Sequence, residues 1–444
     1  MNSNTMNGFS TLPLGEKIMQ IRKSKGLSME NMAHAIKKSQ PFISRFERGE
    51  ADCSAEELES IKKFLEIENA PLFEHEQELF RNRIIMCYKL PHAEWHGGAK
   101  AMFDELSVIT QLPFEHSLSV MYLMLVASFH LTDGLLEANK EDMYEQKAPA
   151  EVDELLAQAE PLLDNASDEA LYFYHFVKAR LYYVREDDAN ALKHYLVASN
   201  TNCEFAKKDE LYANIGAAYF FAGKLSKAII YLELAKADYK GNVTDINWVY
   251  QNFTIAICYM CMSDYDKAKD LLNKSLFQAK SIAEGEQIEF EITITIGILC
   301  QLTKEYEQSI GYFDQALIHK ARHRHIACLA YKADSLRHLK KFEKCQEVLA
   351  QGRALVKEDG TGAIYIDTIS HLLNLGDNGS INYIENTAIP FFRATEVRDR
   401  YYAIYLCNEL ETHYKKKRTH TKANAIATVA RDIYKDMYEG DIKF

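Results

Sequence analysis

Chain breakers are scarce: 444 residues carry only 19 glycines and 8 prolines. Turn-rich sandwiches and long strands need such residues at their hairpins, so they are a poor fit and many helices are expected. No run of about 18 apolar residues occurs, so no membrane span is expected. Residues 1–13 are polar and lack an apolar h-region, so no secretory signal is read there. The cysteines number nine, an odd count scattered over expected helices. That pattern suits a reduced, cytosolic protein rather than a disulfide framework. The 26 Tyr and 22 Phe mostly recur at helical spacing and are read first as packing residues.

Net charge is −12, which argues against non-specific nucleic-acid binding by the whole molecule. The charge is uneven, however. Between Leu14 and Arg48 there are eight bases (Lys17, Arg22, Lys23, Lys25, Lys37, Lys38, Arg45, Arg48) against three acids (Glu16, Glu30, Glu47). A small basic reader on a large acidic body is the charge pattern of a regulator.

The basic segment reads as four helices. Leu14, Ile18 and Ile21 give the first an apolar face, and Lys25-Gly26 closes it. Ser28 is placed to cap a second helix through Met32, Ala33 and Ile36. Ser39 caps a third, with Pro41 in its first turn and Gly49 at its end, where positive φ is wanted. A closing helix runs from about Ala55 to Leu65. Residues 28–49, and above all Ile43-Ser-Arg-Phe-Glu-Arg-Gly49, strongly resemble the phage-repressor-like (XRE) helix-turn-helix family. The resemblance implies that the third helix enters the major groove, with Gln40, Pro41 and Arg45 facing bases and Ser39 and Ser44 close by. Arg45 leads because Arg can pair bidentately with guanine. Arg22 and Glu47 match a structural ion pair of the family. Two departures stand out. Met29 lies where the family often has a phosphate-contacting Gln. The turn holds Lys37-Lys38 where Gly and an apolar residue are usual, so either Lys37 bears a small left-handed strain or the turn differs.

A linker helix is expected over about 72–90, and internal repetition follows. Tyr212-Ala-Asn-Ile-Gly-Ala-Ala-Tyr219 with Ala228, Leu232 and Ala235 is close to the tetratricopeptide (TPR) pattern. The small residue of the second helix recurs at Ala191, Ala228, Ala268, Ser309, Cys345 and Ala423. Residues 361–392 blur the pattern and predict an irregular pair, and 99–136 read as a degenerate one. About six to eight pairs would stack into a right-handed superhelix with a concave face. Repeat geometry puts Arg180, Glu210, Asn214 and Phe221 on that face, followed by Tyr250, Phe253, Gln301, Asp334 and Arg337. Asn214 is the leading contact, since one amide can satisfy both polar groups of a peptide backbone.

Catalytic and metal signals are weak. Cys258 and Cys261 have CxxC spacing but sit within one expected repeat helix, which favours packing. His319, His323 and His325 lack the Glu of a HExxH site and read as a solvated basic helix end. Gly360-Thr-Gly362 lacks the other glycines of a dinucleotide fingerprint and reads as a loop. No enzyme activity, cofactor or metal is expected.

The expectation is an all-α chain: a flexible arm (1–13), a helix-turn-helix domain (14–66), a linker helix (67–90) and a TPR-like peptide-binding and dimerisation domain (91–444). This organisation resembles the RRNPP group of peptide-pheromone receptors of Gram-positive bacteria. The resemblance implies a cytosolic homodimer on two-fold-related double-stranded operator DNA, with a short signalling peptide in the groove and no membrane partner. Two alternatives remain: repeats that act on a response-regulator protein of the sporulation phosphorelay, and a DNA-binding scaffold without a ligand.

Overall fold

The computed structural model describes residues 13–67, 73–89, 103, 106, 116–138, 150–185, 187–239, 245–282, 285–319, 324–356, 362–395 and 397–438. Every regular element among them is a helix. They divide into two compact units, 1–207 and 208–444. The boundary falls within the expected repeat array, not at the end of the basic head.

Unit one opens with the four head helices α1 (Leu14–Ser24), α2 (Met29–Ala35), α3 (Gln40–Glu47) and α4 (Ala55–Phe64). A helix follows over the stretch read as a linker, α5 (Glu74–Lys89), then α6 (His116–Ala138), α7 (Ala150–Ala159) and the pair α8 (Asp168–Val184) and α9 (Asp188–Ser199). The first half of the degenerate pair lies mostly outside the described residues. Aromatics tie α5 to α8: the Tyr88 and Tyr172 hydroxyls are 2.8 Å apart, and the Tyr88 and Phe173 rings 4.6 Å. Between α8 and α9 the His175 and His194 Nδ1 atoms meet at 2.9 Å, so one must donate and the other accept.

Unit two holds four regular pairs. They are α10 (Lys208–Phe221) with α11 (Leu225–Asp238), α12 (Ile246–Cys261) with α13 (Tyr265–Ala279), α14 (Glu286–Leu302) with α15 (Tyr306–Leu317), and α16 (His325–His338) with α17 (Phe342–Leu355). The small positions read from sequence are the crossing points. Ala191, Ala228, Ala268, Ser309 and Cys345 are fully buried, and Ala423 almost so. The glycines of the first helices face large partners. A Cβ on Gly216 would stand 2.6 Å from Leu232 Cγ, and one on Gly297 2.6 Å from the Phe313 ring. Each pair closes through a left-handed residue, Gly223, Ser263, Lys304 or Lys340, with φ between 58° and 77°.

The irregular stretch is α18 (Ala363–Leu373), α19 (Asn378–Tyr383), a π turn over Ile384–Ala388 and α20 (Ile389–Ala394). Pro390 explains the π turn: its ring would collide with the carbonyl four residues back, and widening the turn relieves that. Gly362, with φ +84°, is the N-cap of α18, so this glycine opens a helix rather than lying in a plain loop; Gly360 is outside the described residues. The last pair is α21 (Val397–Lys416) and α22 (His420–Tyr438). No described helix is long and apolar enough to cross a membrane.

Gly297→Ala should destabilise unit two by about 1–3 kcal/mol, because the added methyl must displace the Phe313 ring. Lys304→Gly should stabilise it by roughly 1 kcal/mol through relief of the left-handed conformation; urea unfolding of both variants checks the opposite signs. A pH effect is expected in unit one. Burial, with His175 and Lys178 nearby, lowers His194 from the usual 6.5 to about 4. The unfolded chain then takes up the proton first, so stability present above 6.5 is lost as pH falls toward 4. The urea midpoint of wild type should drop more over that window than that of His194→Gln.

Candidate functional sites

The head is built around one core of Ile18, Ile21, Met32, Ala33, Ile36, Ile43, Phe46, Ile61 and Leu65. Helix α1 crosses α3 very closely. A Cβ on Gly15 would lie 1.8 Å from the Phe46 carbonyl oxygen, which leaves no room for any other residue. The expected ion pair is formed and buried: Arg22 Nε donates to Glu47 Oε1 at 2.6 Å and Nη2 to Oε2 at 2.8 Å. Arg22 Nη1 also donates to the Leu27 carbonyl at 2.7 Å. This fork fixes α1 and the α1–α2 turn to the end of α3. The Glu47 hydrogen bonds raise the Arg22 pKa further.

The caps fall where the sequence places them. Ser28 Oγ accepts from Asn31 N at 3.0 Å, and Ser39 Oγ from Phe42 N at 3.4 Å. Ser54 and Glu57 form a full capping box on α4. Lys37 adopts φ +56°, so the Lys-Lys turn keeps the left-handed residue and bears its strain. Lys38 pairs with Glu57 and lies over the Phe42 ring. Met29 packs against the head core, which accounts for an apolar residue at that position.

On α3, Gln40, Pro41 and Arg45 are exposed. Neither Gln40 nor Arg45 makes a side-chain hydrogen bond or ion pair among the described residues. Arg45 does add to the field that, after the Arg48 hydrogen bond, lowers the Glu50 carboxyl. Ser39 and Ser44 are different, because their hydroxyls are engaged. Ser39 caps the helix, and Ser44 Oγ accepts from Arg48 Nη1 at 3.0 Å. Helix α3 therefore presents one free guanidinium and one free amide on a rigid, preset surface.

The groove candidates divide between the units. Arg180 belongs to unit one, where its Nη1 donates to Ser128 Oγ at 3.1 Å. In unit two, Glu210, Asn214 and Phe221 are half-buried on α10, and Asn214 has no side-chain hydrogen bond among the described residues. Tyr250 is 41% exposed on α12, whereas Phe253 is only 8% exposed and belongs to the core. The other three are occupied within the fold. Gln301 Nε2 donates to the Tyr331 carbonyl at 2.7 Å and Ser335 Oγ at 2.8 Å, joining α14 to α16. Asp334 and Arg337 meet Tyr405 and Glu409 of α21. Sequence reasoning missed those two partners, which lie some 70 positions downstream with no local signal. Of the unit-two candidates, Asn214 and Tyr250 therefore remain open, whereas Glu210 and Phe221 have partners of their own within the fold.

Cys258 and Cys261 are both fully buried, and burial pushes the Cys258 thiol well up, which leaves it unreactive. His319 and His325 do not form a solvated helix end. Both rings pack on Phe290, at 4.9 and 6.2 Å, and His323 is outside the described residues. Among the described residues no group of three or more His, Cys, Asp or Glu could hold a metal ion.

Residues 18–68 match the helix-turn-helix family. No curated protein matches the sequence. The fold is shared with solved structures at low identity. A Rap protein complexed with competence and sporulation factor matches at 16% identity and TM-score 0.61, over 82% of this chain and 100% of that one. The apo quorum sensor NprR from B. thuringiensis matches at 15% and 0.59, over 80% and 97%. NprR with its cognate peptide NprX matches at 15% and 0.54, over the same shares.

Arg22→Ala should cost about 3 kcal/mol or more, since it leaves the Glu47 carboxylate buried without its partner. Thermal unfolding followed by a reporter in the head checks this; a loss under about 1 kcal/mol would show the pair to be solvent-screened.

Proposed function

We propose that this chain, a helix-turn-helix head on the repeat fold of Rap and NprR, is a transcription regulator controlled by a short signalling peptide. The observation that carries the DNA half is α3, a buttressed helix that leaves Arg45 and Gln40 unpaired and outward in a segment matching the helix-turn-helix family. Arg reads guanine O6 and N7 with two parallel hydrogen bonds, and Gln reads adenine N6 and N7 similarly. An eight-residue reader covers few base pairs, so two copies on two-fold-related half-sites are the natural way to gain selectivity. The protein acts in this reading as a cytosolic homodimer.

The peptide half is supported by likeness in fold to NprR, a quorum sensor crystallised with its cognate peptide, and to a Rap protein crystallised with a signalling factor. Asn214 fits the role of a backbone clamp, being half-buried and free among the described residues. A peptide that prefers one arrangement of the stacked repeats shifts the population toward it, and the heads follow. The alternative, action on a response regulator, leaves the head without a role and is not favoured by any feature of α3.

Arg45→Ala should weaken specific operator binding by about 1–3 kcal/mol with an unchanged melting temperature. Equal affinity would remove α3 from the interface. Asn214→Ala should weaken binding of peptides encoded beside the gene while apo DNA affinity stays as in wild type; joint loss would make Asn214 structural. A true ligand at a hundredfold over Kd should add roughly 2.7 kcal/mol in a thermal-shift series.

A further inference from the structure

The last helix pair does not simply extend the stack. It returns to the ends of earlier first helices in unit two at three places. At the α10–α11 turn, a Cβ on Gly223 would stand 3.4 Å from both Met437 Cα and Arg400 Nη1. The equivalent turns carry Ser263, Lys304 and Lys340 in the same left-handed conformation, so conformation alone does not demand glycine. Next, the Tyr265 and Tyr401 hydroxyls meet at 2.7 Å beside the α12–α13 turn. The third place is the end of α16, where Arg337 Nε donates to Asp334 Oδ1 at 2.7 Å. Arg337 Nη2 donates to Tyr405 Oη at 2.7 Å and Glu409 Oε2 at 3.0 Å. Tyr405 in turn donates to Asp334 Oδ2 at 2.7 Å and lies 2.9 Å from His338 Nε2.

This seam joins charge and hydrogen bonds to aromatic packing, with the Tyr331 and Tyr402 rings 5.4 Å apart, whereas those within the regular pairs of unit two are made of small residues against large apolar ones. Here the Arg337 guanidinium, paired with Asp334 on its own helix, reaches across the gap to Glu409 and the Tyr405 phenol, and Tyr405 donates back to Asp334, which is only 3% exposed. Without it, Asp334 and Glu409 would face each other with like charge and little water to screen them. Polar seams of this type separate and re-form more readily than apolar cores, because water can replace the hydrogen bonds once the charges part.

We propose that α21 and α22 form a strap that closes over the first-helix ends of unit two, and that Arg337 holds it shut. Opening uncovers Asp334 and Arg337, two positions that repeat register places on the groove and that the closed strap occupies. The proposal rests on the geometry of unit two and is independent of the DNA-binding reading.

Amide hydrogen exchange by mass spectrometry on the full chain tests it. Arg337→Met should raise exchange in 397–438 at least tenfold, with α10 to α15 unchanged. Tyr405→Phe, a milder change that leaves the charges in place, should give the same pattern at smaller amplitude, and decides the matter if Arg337→Met fails to fold. Adding Asp334→Asn and Glu409→Gln to Arg337→Met should recover part of the protection. Unchanged exchange in 397–438, or a rise spread equally over α10 to α15, would overturn the strap.

Discussion

Close approach of helices is the constraint on which the structure depends. Gly15 against the Phe46 carbonyl in the head, Gly216 against Leu232 and Gly297 against Phe313 in the repeats all mark crossings where a single methyl would collide. The buried Ala, Ser and Cys series of the second helices does the same from the other side. At such separations the large partner fills the space left by the small one, and the crossing geometry has little freedom. That rigidity is what allows a chain so poor in breakers to be both regular and specific.

The head shows how rigidity becomes function. Arg22 and Glu47 lock α1 to α3, Ser39 and Pro41 start α3, and Gly49 ends it, so the exposed face of this eight-residue helix is set before any ligand arrives. Fixing the reading helix in advance lowers the ordering cost of binding. Lys37, in the turn before α3, is an exception, holding a left-handed conformation that glycine would adopt more cheaply.

Much of this was legible in sequence because it is local. Caps at Ser28 and Ser39, positive φ at Gly49 and the small residues at near-40 spacing follow from patterns within one or two elements, whereas the Arg22–Glu47 pair, 25 positions apart, was expected from the family resemblance alone. The irregular stretch before Phe392 was visible only as a blur, although Pro390 marks its cause. What could not be read was long-range. Repeat register alone placed Asp334 and Arg337 on a groove, and no periodicity says that Tyr405 and Glu409 return to them. The histidines near position 320 were misjudged for a similar reason, since Phe290 on α14 lies some 30 positions upstream of the rings it packs against. The break at residue 207 within the array had no compositional mark.

In the proposed function, α3 reads DNA sequence as one half of a two-fold assembly. Selection of bound duplexes from a random pool by the full-length protein tests it most directly. The expected result is enrichment of two inverted half-sites spaced by one helical turn, about 10 base pairs centre to centre, or a multiple of it. A bound pool with no sequence enriched over the input would contradict the claim.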